Sequence, residues 1–190
     1  MSWQSAVGQA AGVVSLLGFV PYLISVVRGR TRPSMASWWI WTLVGCLIVV
    51  SYYAAGARTS IWTPVSYVIG PLLIALVSLR YGSGGWSRFD RLCGLGAGLS
   101  LLLWALSGTP LTALIFNILI DLLGALPTVR KTWQEPDSED RLSWALFLIA
   151  NSLNLLAVQP WTFANASYPI YIFALALVMN ALLLRRVRIK

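Results

Sequence analysis

Long apolar runs alternate with short polar breaks along the whole chain. Seven runs stand out: Ala6 to Val27, Ser37 to Ala57, Ser60 to Leu79, Leu92 to Ser107, Thr109 to Val129, Leu142 to Val158 and Tyr168 to Leu184. Each is on the order of 20 residues, about what a helix needs to cross ~30 Å of hydrocarbon. The runs are continuous, whereas strands of a membrane barrel alternate lipid-facing and lumen-facing residues with period two, so the pattern predicts helices. The fourth run is the shortest and holds Gly94, Gly96 and Gly98. No strand precedes these glycines, which therefore read as close helix packing and not as a phosphate loop.

A second pattern lies over the first. Leu16, Leu17, Gly18, Pro21, Ser37 and Trp38 recur as Leu122, Leu123, Gly124, Pro127, Ser143 and Trp144, at a constant offset. Each copy starts in one apolar run and ends in the next. Three crossings reverse the chain, so two triplets of the same orientation need one extra crossing between them, and the fourth run supplies it. The expected fold is an all-α membrane protein of seven transmembrane helices. Two parallel three-helix bundles, residues 1–84 and 109–190, are joined by a linker helix in 85–108.

Composition agrees with the pattern. The chain has 190 residues, of which 58% are hydrophobic and 11% charged, too little polar surface to coat a soluble globule. Charge adds orientation. All but one of the 14 basic residues follow the first, third, fifth and seventh runs, and Arg58 alone falls on the opposite side. The positive-inside rule then puts the N-terminus outside and the C-terminus in the cytoplasm, in a plasma or bacterial inner membrane. The net charge of +8 punctuates helix ends and forms no single stripe, so nucleic acid is not an expected partner. The first run lacks a basic n-region and is too long for an h-region, so it reads as a retained helix. Cys46 and Cys93 fall at different depths and are not expected to pair.

A proline near the end of the first helix of each triplet, followed by a basic loop and a Ser-Trp pair, resembles the PQ-loop and SWEET transporter superfamily. Tyr22 and Thr128 stand where that family carries its signature glutamine. Trp38 and Trp41, echoed by Trp144 and Phe147, resemble the aromatic motif of the related nicotinamide riboside carriers. The resemblance implies a seven-helix carrier of a small solute working by alternating access. Trp38, Trp39 and Trp144 also fit an interfacial aromatic belt, since they lie at helix ends on the basic side.

Asp121 is the acid that lies inside an apolar run. An aspartate at mid-helix costs about 2.5 to 3.5 kcal/mol on insertion and is normally kept for function, facing the bundle interior. Asn117, Gly124 and Thr128 share its helix face by their spacing. Trp144, Phe147, Asn151 and Asn154 form a second face of rings and amides on the sixth run. Together, Asn117, Asp121, Trp144, Phe147, Asn151 and Asn154 are the expected contacts of a small polar solute such as a sugar, an amino acid or a vitamin-like compound. Interhelical ties are the other reading of the asparagines. Ser15 occupies the matching position in the first copy, so Asp121 is a one-sided proton-coupling candidate. Acids near the second proline-containing loop of lysosomal amino-acid carriers of the PQ-loop type are similarly placed. Gly18, Pro21, Gly124 and Pro127 are the expected gating residues, since proline frees a helix carbonyl and permits bending.

Other classes have less behind them. The chain has no histidine, no intramembrane pair of carboxylates and no nucleophile beside a base, so neither an enzyme nor a metal or other cofactor is expected. The alternative is a non-transporting seven-helix receptor on the same scaffold. The stretch from Thr132 to Asp140, with Glu135, Asp137, Glu139 and Asp140, reads as a solvated loop in which Asp137 or Ser138 caps the sixth helix. The basic end from Arg185 to Lys190 is expected against anionic headgroups of the lipid bilayer.

Overall fold

A computed structural model describes residues 2–54, 62–83, 86–106 and 108–185. Among these the structure is wholly helical. Seven α-helices run in order: α1 Trp3–Val27, α2 Met35–Ala54, α3 Trp62–Tyr81, α4 Arg88–Ala105, α5 Pro110–Gln134, α6 Arg141–Leu156 and α7 Phe163–Leu184. A 3-10 turn, Pro136–Ser138, lies between α5 and α6. One helix falls on each expected run. The expected end of the second run at Ala57, the start of the third at Ser60, the end of the fourth at Ser107, Arg58 and the terminal Arg186 to Lys190 lie outside the described residues.

Helix ends depart from the apolar runs for local reasons. Ser87 caps α4: its hydroxyl accepts from the Asp90 amide at 3.1 Å, and the Asp90 carboxylate accepts from the Ser87 amide at 2.9 Å. This reciprocal box starts α4 four residues before the run. Thr162 caps α7 by accepting from the Asn165 amide at 3.3 Å, which starts that helix five residues early. At its far end α5 runs past Val129 to Gln134. An apolar run marks what lipid tolerates, whereas Arg130, Lys131 and Gln134 are good helix formers that carry the backbone onward. Two residues past the end of α1, Gly29 has a φ of +70° and turns the chain so that the Arg30 amide donates to the Ser25 carbonyl at 3.0 Å. Glycine takes that left-handed conformation without steric cost.

Packing separates two compact units. One comprises residues 1–31 and 131–190, that is α1, α6, α7 and the 3-10 turn. In it α1 packs chiefly on α6, and α6 on α7. Its interior holds Tyr22, Val26, Trp144, Ala150, Ala176, Met179 and Leu183. The other comprises residues 32–130, that is α2, α3, α4 and α5 as far as Arg130. There α2 packs on α3 and touches α4. Ile40, Val44, Ala97 and Ile120 form its core, with Leu47, Leu101 and Leu123 against them. The first unit takes helices from both copies of the repeat, a division distinct from the duplication boundaries expected at 1–84, 85–108 and 109–190.

Among the described residues three helices are long and apolar enough to cross a membrane: Trp3–Val27, Leu111–Gln134 and Phe163–Leu184. Shorter apolar helices occupy Met35–Leu47, Val68–Tyr81 and Arg141–Leu156. α4 turns Leu92, Leu95, Leu99, Leu102 and Leu103 outward, and Leu106 just past its end is exposed as well. An apolar stripe of that extent is unfavourable against water by about 25 cal/mol per Å² and is at no disadvantage against lipid.

Candidate functional site

The residues singled out by the repeat are built into two junctions, one in each unit. In the unit of residues 32–130, Ser34 precedes α2 and its hydroxyl accepts from the Ser37 amide at 3.4 Å and the Ser37 hydroxyl at 3.2 Å. In the other unit the matching Asp140 precedes α6, and its carboxylate accepts from the Ser143 amide at 2.8 Å and the Ser143 hydroxyl at 2.7 Å. The two helices therefore start in the same way, each one turn before its tryptophan, with a stronger acceptor in the second copy. The cap of α6 is Asp140, not Asp137 or Ser138. Asp137 is exposed, while Ser138 spends its hydroxyl on the Glu135 carbonyl at 2.7 Å.

The aromatic pairs match as well. Trp38 and Trp41 meet edge to face at 4.9 Å and 82°, and Trp144 and Phe147 at 5.6 Å and 83°. Trp38 and Trp144 are both buried, and Trp39 is half-buried. The interfacial-belt reading therefore fails for Trp38 and Trp144, because tertiary packing covers the helix ends on which they sit.

Each pair receives a glycine from the first helix of a repeat. A Cβ on Gly18 of α1 would come within 2.6 Å of Phe147 Cε1 on α6. A Cβ on Gly124 of α5 would come within 2.6 Å of Ile40 Cγ2 and 3.6 Å of Trp41 Cδ1 on α2. A larger residue at either glycine requires the facing side chain to shift. The prolines follow one turn later, Pro21 inside α1 and Pro127 inside α5. Each lacks an amide hydrogen and leaves a carbonyl four residues upstream without its usual donor.

Beyond each proline the next residue is tied down, by different chemistry in the two units. The Thr128 amide donates to the Ser37 hydroxyl at 3.1 Å, a neutral bond from α5 to the first turn of α2. Tyr22 instead donates its phenol to Glu139 Oε2 at 2.8 Å. That same oxygen accepts from Trp144 Nε1 at 2.9 Å, and Lys131 Nζ donates to Oε1 at 2.5 Å. The Glu139 side chain is 0% exposed and that of Lys131 11%. Such a charge is stable out of water only because its hydrogen-bonding capacity is met and a cation stands beside it.

Glu139 overturns the expectation of a solvated loop from Thr132 to Asp140. Thr132, Pro136, Ser138 and Glu139 are buried, and residues 132–134 belong to α5. Sequence gave no way to separate Glu139 from exposed Glu135 and Asp137. Its donors lie on α1, on the last turn of α5 and on α6, and the matching position in the first copy is Pro33. The signal that was present is Tyr22, a polar ring directly after a helix proline.

The remaining site residues divide between the units. Asn117, Asp121, Gly124 and Pro127 belong to residues 32–130, while Gly18, Pro21, Trp144, Phe147, Asn151 and Asn154 belong to the other unit. Asp121 is 3% exposed within α5. One turn away, the Asn117 side-chain oxygen is buried with no hydrogen-bond partner among the described residues. Asn151 donates to the Phe147 carbonyl of its own helix at 2.8 Å, and Asn154 is half-buried. Asn180 of α7 donates to the Trp144 carbonyl at 2.8 Å, so Trp144 is held at both backbone and indole.

No family model, no curated protein and no solved structure matches this chain.

Proposed function

We propose that the chain is an integral membrane carrier of the PQ-loop and SWEET kind. In this reading all seven helices cross a plasma or bacterial inner membrane with the N-terminus outside and α4 as the connector between two triplets of equal orientation. A small polar solute, a sugar, an amino acid or a vitamin-like compound, moves by alternating access. The observation that carries the reading is Asp121, buried at 3% exposure within a helix that is long and apolar enough to cross a membrane. A carboxylate in that setting is costly to insert and is normally kept for binding or proton movement. Support also comes from the two junctions. Both put a glycine against a bulky side chain one turn before a helix proline, which gives matched places for bending.

Asn117 adds a buried acceptor one turn from Asp121, suited to a solute that donates hydrogen bonds. Asp121 takes up and releases a proton as its access to water changes, which couples solute to protons.

The test begins with thermal stabilisation of the purified protein by sugars, amino acids and vitamin-like compounds, since a ligand stabilises by RT ln(1 + [L]/Kd). Compounds that stabilise then enter proteoliposome uptake at several pH values, with Asp121→Asn beside the native chain. The reading expects Asp121→Asn to lower uptake and flatten its pH dependence. Unchanged uptake and unchanged pH dependence would remove Asp121 from the mechanism. A compound that stabilises the protein but never crosses would point to a receptor.

A further inference from the structure

We infer that the Tyr22 phenol and the Glu139 carboxylate form a releasable latch, which holds α1 against α6 at the Pro21 break. The inference rests on the gating reading of Pro21, but it is read out without any solute.

The latch follows from how the donors share the carboxylate. Oε2 accepts from both Tyr22 and Trp144, and Oε1 accepts from Lys131. When Tyr22 leaves, the carboxylate keeps the Trp144 indole and the Lys131 ammonium, so no charge is stranded in the interior. Trp144 is not free to leave in the same way, because the Asn180 amide holds its carbonyl and Phe147 packs on its ring. Of the two donors on Oε2, Tyr22 is thus the one that moves, and it sits directly after the residue that breaks the α1 hydrogen-bond ladder. Opening α1 at Pro21 gives up the charge-assisted bond from Tyr22 and leaves the Trp144 and Lys131 bonds to Glu139 standing.

The other unit supplies the contrast. There the backbone amide of Thr128, the residue after Pro127, donates to the neutral Ser37 hydroxyl at 3.1 Å. Hydrogen bonds to charged groups are roughly twice as strong as neutral ones. Of these two bonds, the one beside Pro21 is the charge-assisted one.

Backbone hydrogen exchange of the full-length protein in lipid nanodiscs tests this, read on the segment 23–29 just past Tyr22. Tyr22→Phe keeps the buried ring and deletes the phenol oxygen. The latch predicts that exchange in 23–29 accelerates by about ten- to a hundredfold, the population shift expected for loss of a hydrogen bond to a charged group. α7 should keep its native protection. Glu139→Gln is the second arm, because it leaves an oxygen acceptor and lets Lys131 turn to solvent, and it should accelerate the same segment. Ser37→Ala, which loosens the neutral tie, should leave 23–29 unchanged. Exchange in 23–29 unaltered by both Tyr22→Phe and Glu139→Gln would overturn the latch. So would acceleration shared equally by α7, which would mean loss of overall stability and not local release. Failure of the uptake experiment with Asp121 would bear on the carrier reading alone, since no solute enters this measurement.

Discussion

Gly124 lies so close to Ile40 that a Cβ added to the glycine would stand 2.6 Å from the isoleucine Cγ2 and 3.0 Å from its Cβ. The contact seats α5 on α2 one turn before Pro127. At Gly18 an added Cβ would likewise meet the ring edge of Phe147, 2.6 Å from Cε1 and 2.9 Å from Cδ1. The difference between a branched Cβ and a ring edge sets what each glycine tolerates.

Alanine in place of glycine gains about 0.8 to 1 kcal/mol of helix propensity, whereas overpacking a close contact costs about 1 to 3 kcal/mol. At Gly124 the nearest obstacle is Ile40 Cγ2, one bond from a Cβ fixed to the backbone, so overpacking dominates and Gly124→Ala lowers the melting temperature. At Gly18 the Phe147 ring can tilt, and Gly18→Ala is the milder change. Ile40→Leu moves the branch from Cβ to Cγ at constant volume, and the pair Gly124→Ala with Ile40→Leu should recover most of the loss. Thermal unfolding of the purified full-length variants checks the order. A larger loss at Gly18 than at Gly124 would contradict it.

The buried ion pair predicts an asymmetry between its partners. Lys131→Met leaves the wholly buried Glu139 carboxylate without its cation, and breaking such a pair typically costs about 3 to 5 kcal/mol. Glu139→Gln costs less, because Lys131 has a flexible stem and an exposed fraction through which its ammonium can reach water. Combining Lys131→Met with Glu139→Gln should therefore be more stable than Lys131→Met alone. A double-mutant cycle on unfolding free energies measures this, and strict additivity of the two losses would refute it.

Asp140→Ala removes the acceptor for both the amide and the hydroxyl of Ser143. The expected loss is about 0.5 to 2 kcal/mol, the usual worth of an N-cap. Asp140→Ser installs the residue that does the same task for α2 and should recover much of it. Melting temperatures of the two variants decide the matter, and equal loss in both would mean that the cap is not what Asp140 contributes.

Asn180→Ala deletes bonds to the Trp144 carbonyl and to the Ala176 carbonyl. Interhelical hydrogen bonds of this kind are worth about 0.6 kcal/mol on average and at most about 1.7. The change should therefore be smaller than that of Lys131→Met in the same unfolding assay. A loss exceeding the Lys131→Met loss would show that Asn180 carries more than a helix tie.

Much of the local structure was legible before any coordinates. Apolar runs placed a helix at each of the seven positions, because a continuous hydrophobic stretch in helical register depends on nearby residues alone. The repeat pointed to Gly18, Pro21, Gly124 and Pro127 as a set, and the structure assembles each glycine against a side chain of the helix that opens with Ser-Trp. Helix ends were less legible. A cap such as Ser87 with Asp90 competes with the run of apolar residues in setting the boundary, and Arg130 and Lys131 continue a helix that hydropathy would stop.

What the sequence determined by itself is the placement of the helices, the two proline breaks and their matching glycines, since these rest on hydrophobicity, backbone geometry and a repeat, all properties of neighbouring residues. Only the tertiary structure decided that Trp38 and Trp144 are buried, that the units draw on both copies, and that Glu139 alone of its acidic neighbours lies in the interior. The reason is physical: a buried carboxylate is tolerable only where donors meet it, and its donors come from Tyr22, Lys131 and Trp144, on three different helices that no local pattern brings together.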